Sequence, residues 1–116
     1  MARILIVDDE PLIAMMAEDW LDELGHEVVG PANDLRHALN LAEQAIDCAI
    51  LDVSLGPDKS YAVARRLGQR SVPFAFATGH AKEALDAEFS KALTLPKPFG
   101  FESFRRVIDE MLASTP

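Results

Sequence analysis

Cysteine, tryptophan and tyrosine each occur once in this 116-residue chain. A single thiol, Cys48, cannot close an internal disulfide. It sits in the apolar run "CAIL", where a lone cysteine reads as core filling rather than redox chemistry. Long apolar runs are missing too, so nothing approaches a membrane span. The first residues, "MARILIVDDE", carry one arginine and a short apolar run ending in acids, without the small-residue cleavage site of a signal peptide. A cytoplasmic location is expected, with no membrane partner. Basic residues are scarce: 11 against 19 acidic ones, a formal charge of −8. Such a surface repels nucleic-acid backbones, so direct DNA or RNA binding is not expected. Basic proteins or bound cations suit it better. No Gly-rich dinucleotide fingerprint follows the first strand. The histidines His26, His37 and His80 lack metal-ligand spacing, and the first two read as surface residues. Repeats, low-complexity tracts and Gly/Ser/Pro linkers are also lacking. One domain over residues 1–116, long enough for a real core, is the expectation.

What remains is a regular alternation of short apolar runs and amphipathic stretches. "RILIV", "HEVVG", "CAILDV", "VPFAFAT" and "ALTLP" read as strands. The first, third and fourth are apolar without alternation, as in strands covered on both faces. Between them, Ile13, Met16, Ala17, Trp20, Leu21 and Leu24 share one helical face, opened by Pro11 and stopped by Gly25. Asn33 or Asp34 caps a second helix carrying Leu35, Ala38, Leu41, Ala42 and Ala45. A third is expected from about Lys59 to Leu67, closing with Arg65, Arg66 and Gly68 as ordinary C-terminal charge and stop. "AKEALDAEFSKA" is charged and weakly amphipathic, and reads as the fourth helix. Phe101, Phe104, Ile108 and Met111 mark the fifth. Strand–helix alternation predicts an α/β fold, a doubly wound parallel sheet with helices on both faces. Such sheets bind ligands at the carboxyl ends of their strands.

Chemistry gathers at those ends. The first strand stops on Asp8 and Asp9, the third on Asp52, the fourth on Thr78, and the fifth runs into Lys97. Each residue alone has an ordinary explanation, as a cap, a turn, a strand end or a surface lysine. Together they put acids, a hydroxyl and an ammonium on one sheet edge. Crowded carboxylates resist joint ionisation, and a hard cation relieves them. Oxygen-only ligands favour Mg²⁺ or a similar ion such as Mn²⁺, which also takes phosphate oxygens. A carboxylate is also a competent nucleophile toward phosphorus. Phosphoryl transfer then needs mainly positioning and charge neutralisation, which Lys97, Thr78 and the Gly79 amide could supply.

"ILIVDDEP", "AILDVSLG", "FAFATGH" and "LPKPF" together resemble the receiver domain of bacterial two-component response regulators, in order and spacing, over essentially the whole chain. The resemblance implies a flavodoxin-like sheet with strand order 2-1-3-4-5. It makes Asp52 the phosphoacceptor. It gives Asp8, Asp9, Asp52 and the Ser54 backbone carbonyl to Mg²⁺, Thr78 the role of switch hydroxyl, and Lys97 the phosphate contact, with a cis Lys97–Pro98 bond. The implied partners are a histidine kinase or phosphotransfer protein, and a downstream protein docking on the fourth helix, fifth strand and fifth helix. Asp52 would catalyse its own phosphorylation and dephosphorylation, without turnover of an outside substrate. With no effector domain expected after Pro116, the implied output is protein contact or a phosphate sink.

Some positions depart from the usual pattern. Gly56, then Pro57, stands where many receivers have proline. Thr94 replaces the common aromatic switch residue of the fifth strand. "FATGHA" resembles a subgroup motif, FATGUY, but His80 and Ala81 replace its hydrophobic residue and tyrosine. Gly79, His80 and Thr94 are therefore expected to modulate the site. Two other classes compete. A small aspartyl-phosphate phosphatase or phosphotransferase would share the nucleophile, but Ser54 offers no second acid two residues on. A flavodoxin-like nucleotide binder or a receiver that never accepts phosphate would not need the full acidic set.

Overall fold

β1 (Arg3–Val7) and β3 (Cys48–Asp52) are buried almost throughout and form the centre of the sheet. The computed structural model describes residues 1–79 and 85–113. β2 (Glu27–Ala32) lies outside β1, while β6 (Phe74–Thr78) and β7 (Leu93–Pro96) continue beyond β3. The order is β2-β1-β3-β6-β7, and every pair is parallel. This is the expected 2-1-3-4-5 order. Between β3 and β6, β4 (Ser54–Leu55) and β5 (Asp58–Lys59) form a separate antiparallel hairpin that the apolar pattern does not announce.

Strand side chains alternate between two faces, so the sheet separates two cores. Leu5, Val7, Leu51 and Phe76 face α2 (Leu35–Leu41) and α3 (Tyr61–Gln69), against Ala38, Val63, Ala64 and Leu67. Ile4, Ile6, Ile50 and Leu95 face α1 (Pro11–Glu23) and α4 (Phe101–Ala113), against Ala17, Leu21, Phe104, Ile108 and Met111. Cys48 is fully buried in this second core, and burial pushes its thiol up to about 12, so it is chemically inert filling. Trp20 borders the same core, tilted or edge-on against Phe99, Phe101 and Phe104.

Helix ends show where local rules held and where packing overrode them. Pro11 opens α1, and Gly25 ends it at φ +82, with His26 N–H donating to Leu21 O and Gly25 N–H to Asp22 O. Asp34, rather than Asn33, caps α2 by accepting from the His37 amide at 2.8 Å. α3 starts two residues later than Lys59, because Lys59 belongs to the hairpin. It also runs through Gly68. The left-handed residue is Ser71 at φ 60, flanked by Val72 N–H to Leu67 O and Ser71 N–H to Gly68 O. Leu67 and Val72 are both buried, and this contact sets the stop. Arg65 and Arg66 are more than terminal charge: they pair with Glu88 and Glu43 on other elements. His26 is half-buried, with Nδ1 accepting from the Ala2 amide at 3.1 Å.

The first four residues of the fourth expected helix, 81–84, lie outside the described residues. Its described part holds a single 3-10 turn, Ala87–Phe89. Phe89 is buried against Tyr61, Phe74 and Phe76, and Tyr61 Oη accepts from the Asp86 amide at 3.2 Å. These contacts, rather than a helical stripe, fix the segment.

At the other edge, the β1–β2 register slips between Leu5 and Val7, where Gly30 adopts φ +100. A Cβ there would come within 2.8 Å of Ala32 N and 3.0 Å of Ile6 O. The Gly30–Pro31 and Lys97–Pro98 bonds are cis.

Candidate functional site

The parallel register brings the strand ends to one edge. Asp8 follows β1 and is tied to β2 through its amide, which donates to Ala32 O at 2.9 Å. Its side chain is buried, and Oδ1 accepts from the Glu10 amide at 2.9 Å. This local turn bond satisfies a donor at the start of α1. Asp52 ends β3 opposite Ala77, which puts Thr78 one step further on the neighbouring strand. Thr78 in turn pairs with Pro96, so Lys97 comes next along β7. The Lys97 amide donates to Thr78 O at 2.8 Å. Asp52 and Thr78 are both buried.

Lys97 Nζ is the hub. It stands 2.8 Å from Glu10 Oε1, 3.1 Å from Asp8 Oδ2 and 3.5 Å from Asp52 Oδ2. One ammonium thus serves these three carboxylates. Burial, the Asp8 charge and the Asp9 carboxyl push Asp52 up to about 7, although Lys97 opposes them. Burial also raises Asp8, against the Glu10 amide and Lys97. Burial works against the charge on Lys97, but Glu10, Asp8 and Asp52 together hold its pKa above the ordinary lysine value. The edge therefore has more acid than its lysine neutralises. One oxygen each from Asp8, Glu10 and Asp52 lie within 4.8 Å of one another, a donor set that fits a hard divalent cation.

Glu10 was not among the residues expected from sequence. Its signal was the third acid of "DDEP", which reads equally well as first-turn helix charge. Asp9 is turned another way: Oδ2 accepts from the Gly56 amide at 3.0 Å. That amide belongs to the turn of the β4–β5 hairpin, where Gly56 sits at φ +63 before Pro57, as in a two-residue turn with glycine first. A proline at position 56 could adopt neither that φ nor donate that bond. Ser54 lies in the hairpin, and its hydroxyl accepts from Lys59 Nζ at 3.0 Å. Gly79, Glu10, Ile13, Lys97 and Pro98 line a cleft of about 310 Å³ on one side of the site. Asp8, Asp9, Met15 and Pro31 border another, of about 280 Å³. Thr94 is exposed on the edge strand β7, and His80 lies outside the described residues.

A doubly wound parallel sheet with crowded acids and a lysine on its carboxyl edge defines a receiver-type α/β domain. Residues 4–109 match the response regulator receiver domain, and the chain belongs to that family, which works in two-component signalling. It is 34% identical over 118 residues to the phyllosphere-induced regulator PhyR of Methylorubrum extorquens, covering 95% of this chain and 43% of PhyR. The chain thus spans less than half of that relative. The solution structure of SdrG from Sphingomonas melonis Fr1 superposes with TM-score 0.85 at 41% identity, covering 97% of both chains. A sensor histidine kinase receiver domain from Pseudomonas aeruginosa, with magnesium coordinated in its active-site cleft, superposes with TM-score 0.82 at 26% identity, covering 97% of this chain and 98% of that one. Receiver domains bind Mg²⁺ at this acidic pocket, and the cluster of Asp8, Glu10 and Asp52 is compatible with it. No helix among the described residues is long and apolar enough to cross a membrane.

Proposed function

We propose that this chain is a Mg²⁺-dependent (or Mn²⁺-dependent) phosphoacceptor that takes a phosphoryl group on Asp52 from a histidine kinase or phosphotransfer protein. The observation that carries the reading is the Lys97 ammonium held 3.5 Å from Asp52 Oδ2 by Asp8 and Glu10. An Asp52 oxygen attacks phosphorus. The bond from phosphorus to the donor's imidazole nitrogen breaks, its electron pair stays on that nitrogen, and Asp52 becomes an acyl phosphate. Lys97 is close enough to meet the transferred oxygens. Asp8, Asp9, Asp52 and the Ser54 carbonyl, with Glu10 nearby, would hold the cation, which when bound would neutralise phosphoryl charge. Thr78 and the Gly79 amide would donate to the acyl phosphate. Its charge would bias the strand-end segment after β6 and, through it, the surface of residues 85–89, β7 and α4 toward a downstream protein. Loss of phosphate by hydrolysis resets the site, so turnover of an outside phosphoester is not its task. The Ser54 hydroxyl, bound to Lys59, supplies no general acid for such turnover.

The test is labelling with acetyl phosphate and with a kinase, each with Mg²⁺ and with chelator. Label should require the cation and disappear in Asp52→Asn. Label retained in Asp52→Asn at parent stoichiometry would overturn the reading.

A further inference from the structure

Glu10 occupies the N-cap position of α1, yet its side chain makes no cap hydrogen bond. Short polar side chains such as Ser, Asp and Asn suit that position, because they reach back to the free amides of the first turn. Glu10 gives α1 none of that stabilisation. Its carboxylate reaches across 87 residues of sequence instead, and Oε1 accepts from Lys97 Nζ at 2.8 Å. The other two contacts of the ammonium are longer, 3.1 Å to Asp8 Oδ2 and 3.5 Å to Asp52 Oδ2. The separation from Asp52 lies beyond the usual range of an N–H···O bond. Burial makes this order unexpected. Opposite charges attract more strongly away from water, and Asp8 and Asp52 are the buried acids, whereas the Glu10 side chain is 60% exposed. The ammonium nevertheless sits closest to the exposed acid. Glu10 and Lys97 also line the same cleft, beside Ile13 and Pro98.

We propose that Glu10 is a positioning residue for phosphoryl transfer: it holds the Lys97 ammonium on the cleft side of the site and off the Asp52 carboxylate, which keeps its lone pairs for phosphorus. The inference rests on Asp52 being the phosphoacceptor. A carboxylate oxygen that accepts a charge-assisted bond from an ammonium is a poorer nucleophile. Without Glu10, the ammonium has the two buried acids left to pair with and moves toward Asp52. Net charge alone makes the opposite forecast for a variant lacking Glu10, since one acid fewer at the cleft repels an anionic phosphodonor less. The sign of the rate change therefore separates the two.

The experiment measures the second-order rate constant for labelling by acetyl phosphate at saturating Mg²⁺. In that reaction an Asp52 oxygen bonds phosphorus and acetate leaves with the electron pair of the broken P–O bond. Glu10→Ser removes the acid and supplies a favoured N-cap, so thermal stability should hold or rise. It should nevertheless label about three- to five-fold more slowly than the parent, the scale of one half-exposed ion pair. Asp19→Ser removes an exposed acid from the same helix, beside Met1 and His26 at the far end of the sheet, and should leave the rate unchanged. A second readout needs neither cation nor phosphate. In chelator, the nitrogen NMR signal of the Lys97 ammonium should shift further on Asp52→Asn in the Glu10→Ser background than in the parent, because the ammonium bonds Asp52 only when Glu10 is gone. A Glu10→Ser rate equal to or faster than the parent's would overturn the proposal. So would equal Lys97 shifts in the two backgrounds. Asp52→Asn separates the two levels: label surviving there removes the phosphoacceptor and this proposal together, whereas label lost there with unslowed Glu10→Ser kinetics removes this proposal alone.

Discussion

The Gly56 amide donates to Asp9 Oδ2 at 3.0 Å, joining the end of β1 to the hairpin that follows β3. The bond fixes the direction of the Asp9 carboxylate across 47 residues of sequence. The bond needs glycine's backbone freedom and an N–H. Gly56→Ala keeps the N–H and meets no neighbour, but pays for φ +63, about 1 kcal/mol of stability. Gly56→Pro loses the bond and the turn. Magnesium titration should show Gly56→Ala within about two-fold of the parent, and Gly56→Pro weakened about ten-fold, on the scale of lost support around a metal ligand. Equal affinities for the two variants would show that Asp9 does not depend on this amide.

Asp52 makes cation-free stability depend on pH in a defined direction. Unfolded, its carboxyl titrates near 3.9; folded, it titrates at about 7. The folded state binds this proton more tightly, so the contribution is fully present below about pH 4 and lost as pH rises through about 7. Asp8, also raised, acts in the same sense. With chelator at pH 8, Asp52→Asn should therefore be more stable than the parent, on the order of 1–2 kcal/mol after allowing for solvent screening. The advantage should fade toward pH 4. Adding Mg²⁺ at pH 8 should stabilise the parent more than Asp52→Asn, as expected of an ion held by the folded acidic set. Urea melts at both pH values, with and without Mg²⁺, measure all four states.

Two backbone positions should respond in opposite directions. Ser71 holds a left-handed conformation at φ 60 that glycine adopts freely. Ser71→Gly should raise stability by about 1 kcal/mol. Gly30→Ala forces a Cβ to within 2.8 Å of backbone nitrogen at φ +100 and should cost roughly 2–3 kcal/mol. Thermal melts of the two variants check both signs.

The sheet and most of the edge chemistry are legible in the sequence because buried parallel strands are apolar runs and their ends are abrupt. "RILIV" before "DDE" and "FAFA" before Thr78 show the change of character directly. Two-residue strands have no period to read, which hides the β4–β5 hairpin inside "SLGPDK" and leaves Lys59 looking like the start of α3. Glu10 is hidden for a different reason: an acid in a first helical turn is ordinary until Lys97 arrives from 87 residues away. Gly68 looks like a stop because glycine usually is one, but the packing of Leu67 and Val72 moves the stop to Ser71. Partners of Arg65 and Arg66 are tertiary and leave no local trace.

The segment before β7 is docked on α3 by Tyr61 and Phe89, whose rings stack at 5.1 Å, with Arg65 paired to Glu88 alongside. Tyr61→Phe keeps the ring and removes the acceptor of the Asp86 amide. It should cost about 1 kcal/mol and speed exchange of that amide while leaving α4 protected. Unchanged exchange at Asp86 would show that stacking alone holds the segment.

Lys97 follows in sequence every acid it pairs with at this edge. During synthesis, the acids from β1 and β3 are therefore made long before their counter-charge. Until β7 seats beside β6, Asp8, Glu10 and Asp52 lack the Lys97 ammonium that pairs with all three in the finished sheet. Seating of β7 is thus the step that balances this edge, and a copy lacking β7 keeps its acids without that counter-charge.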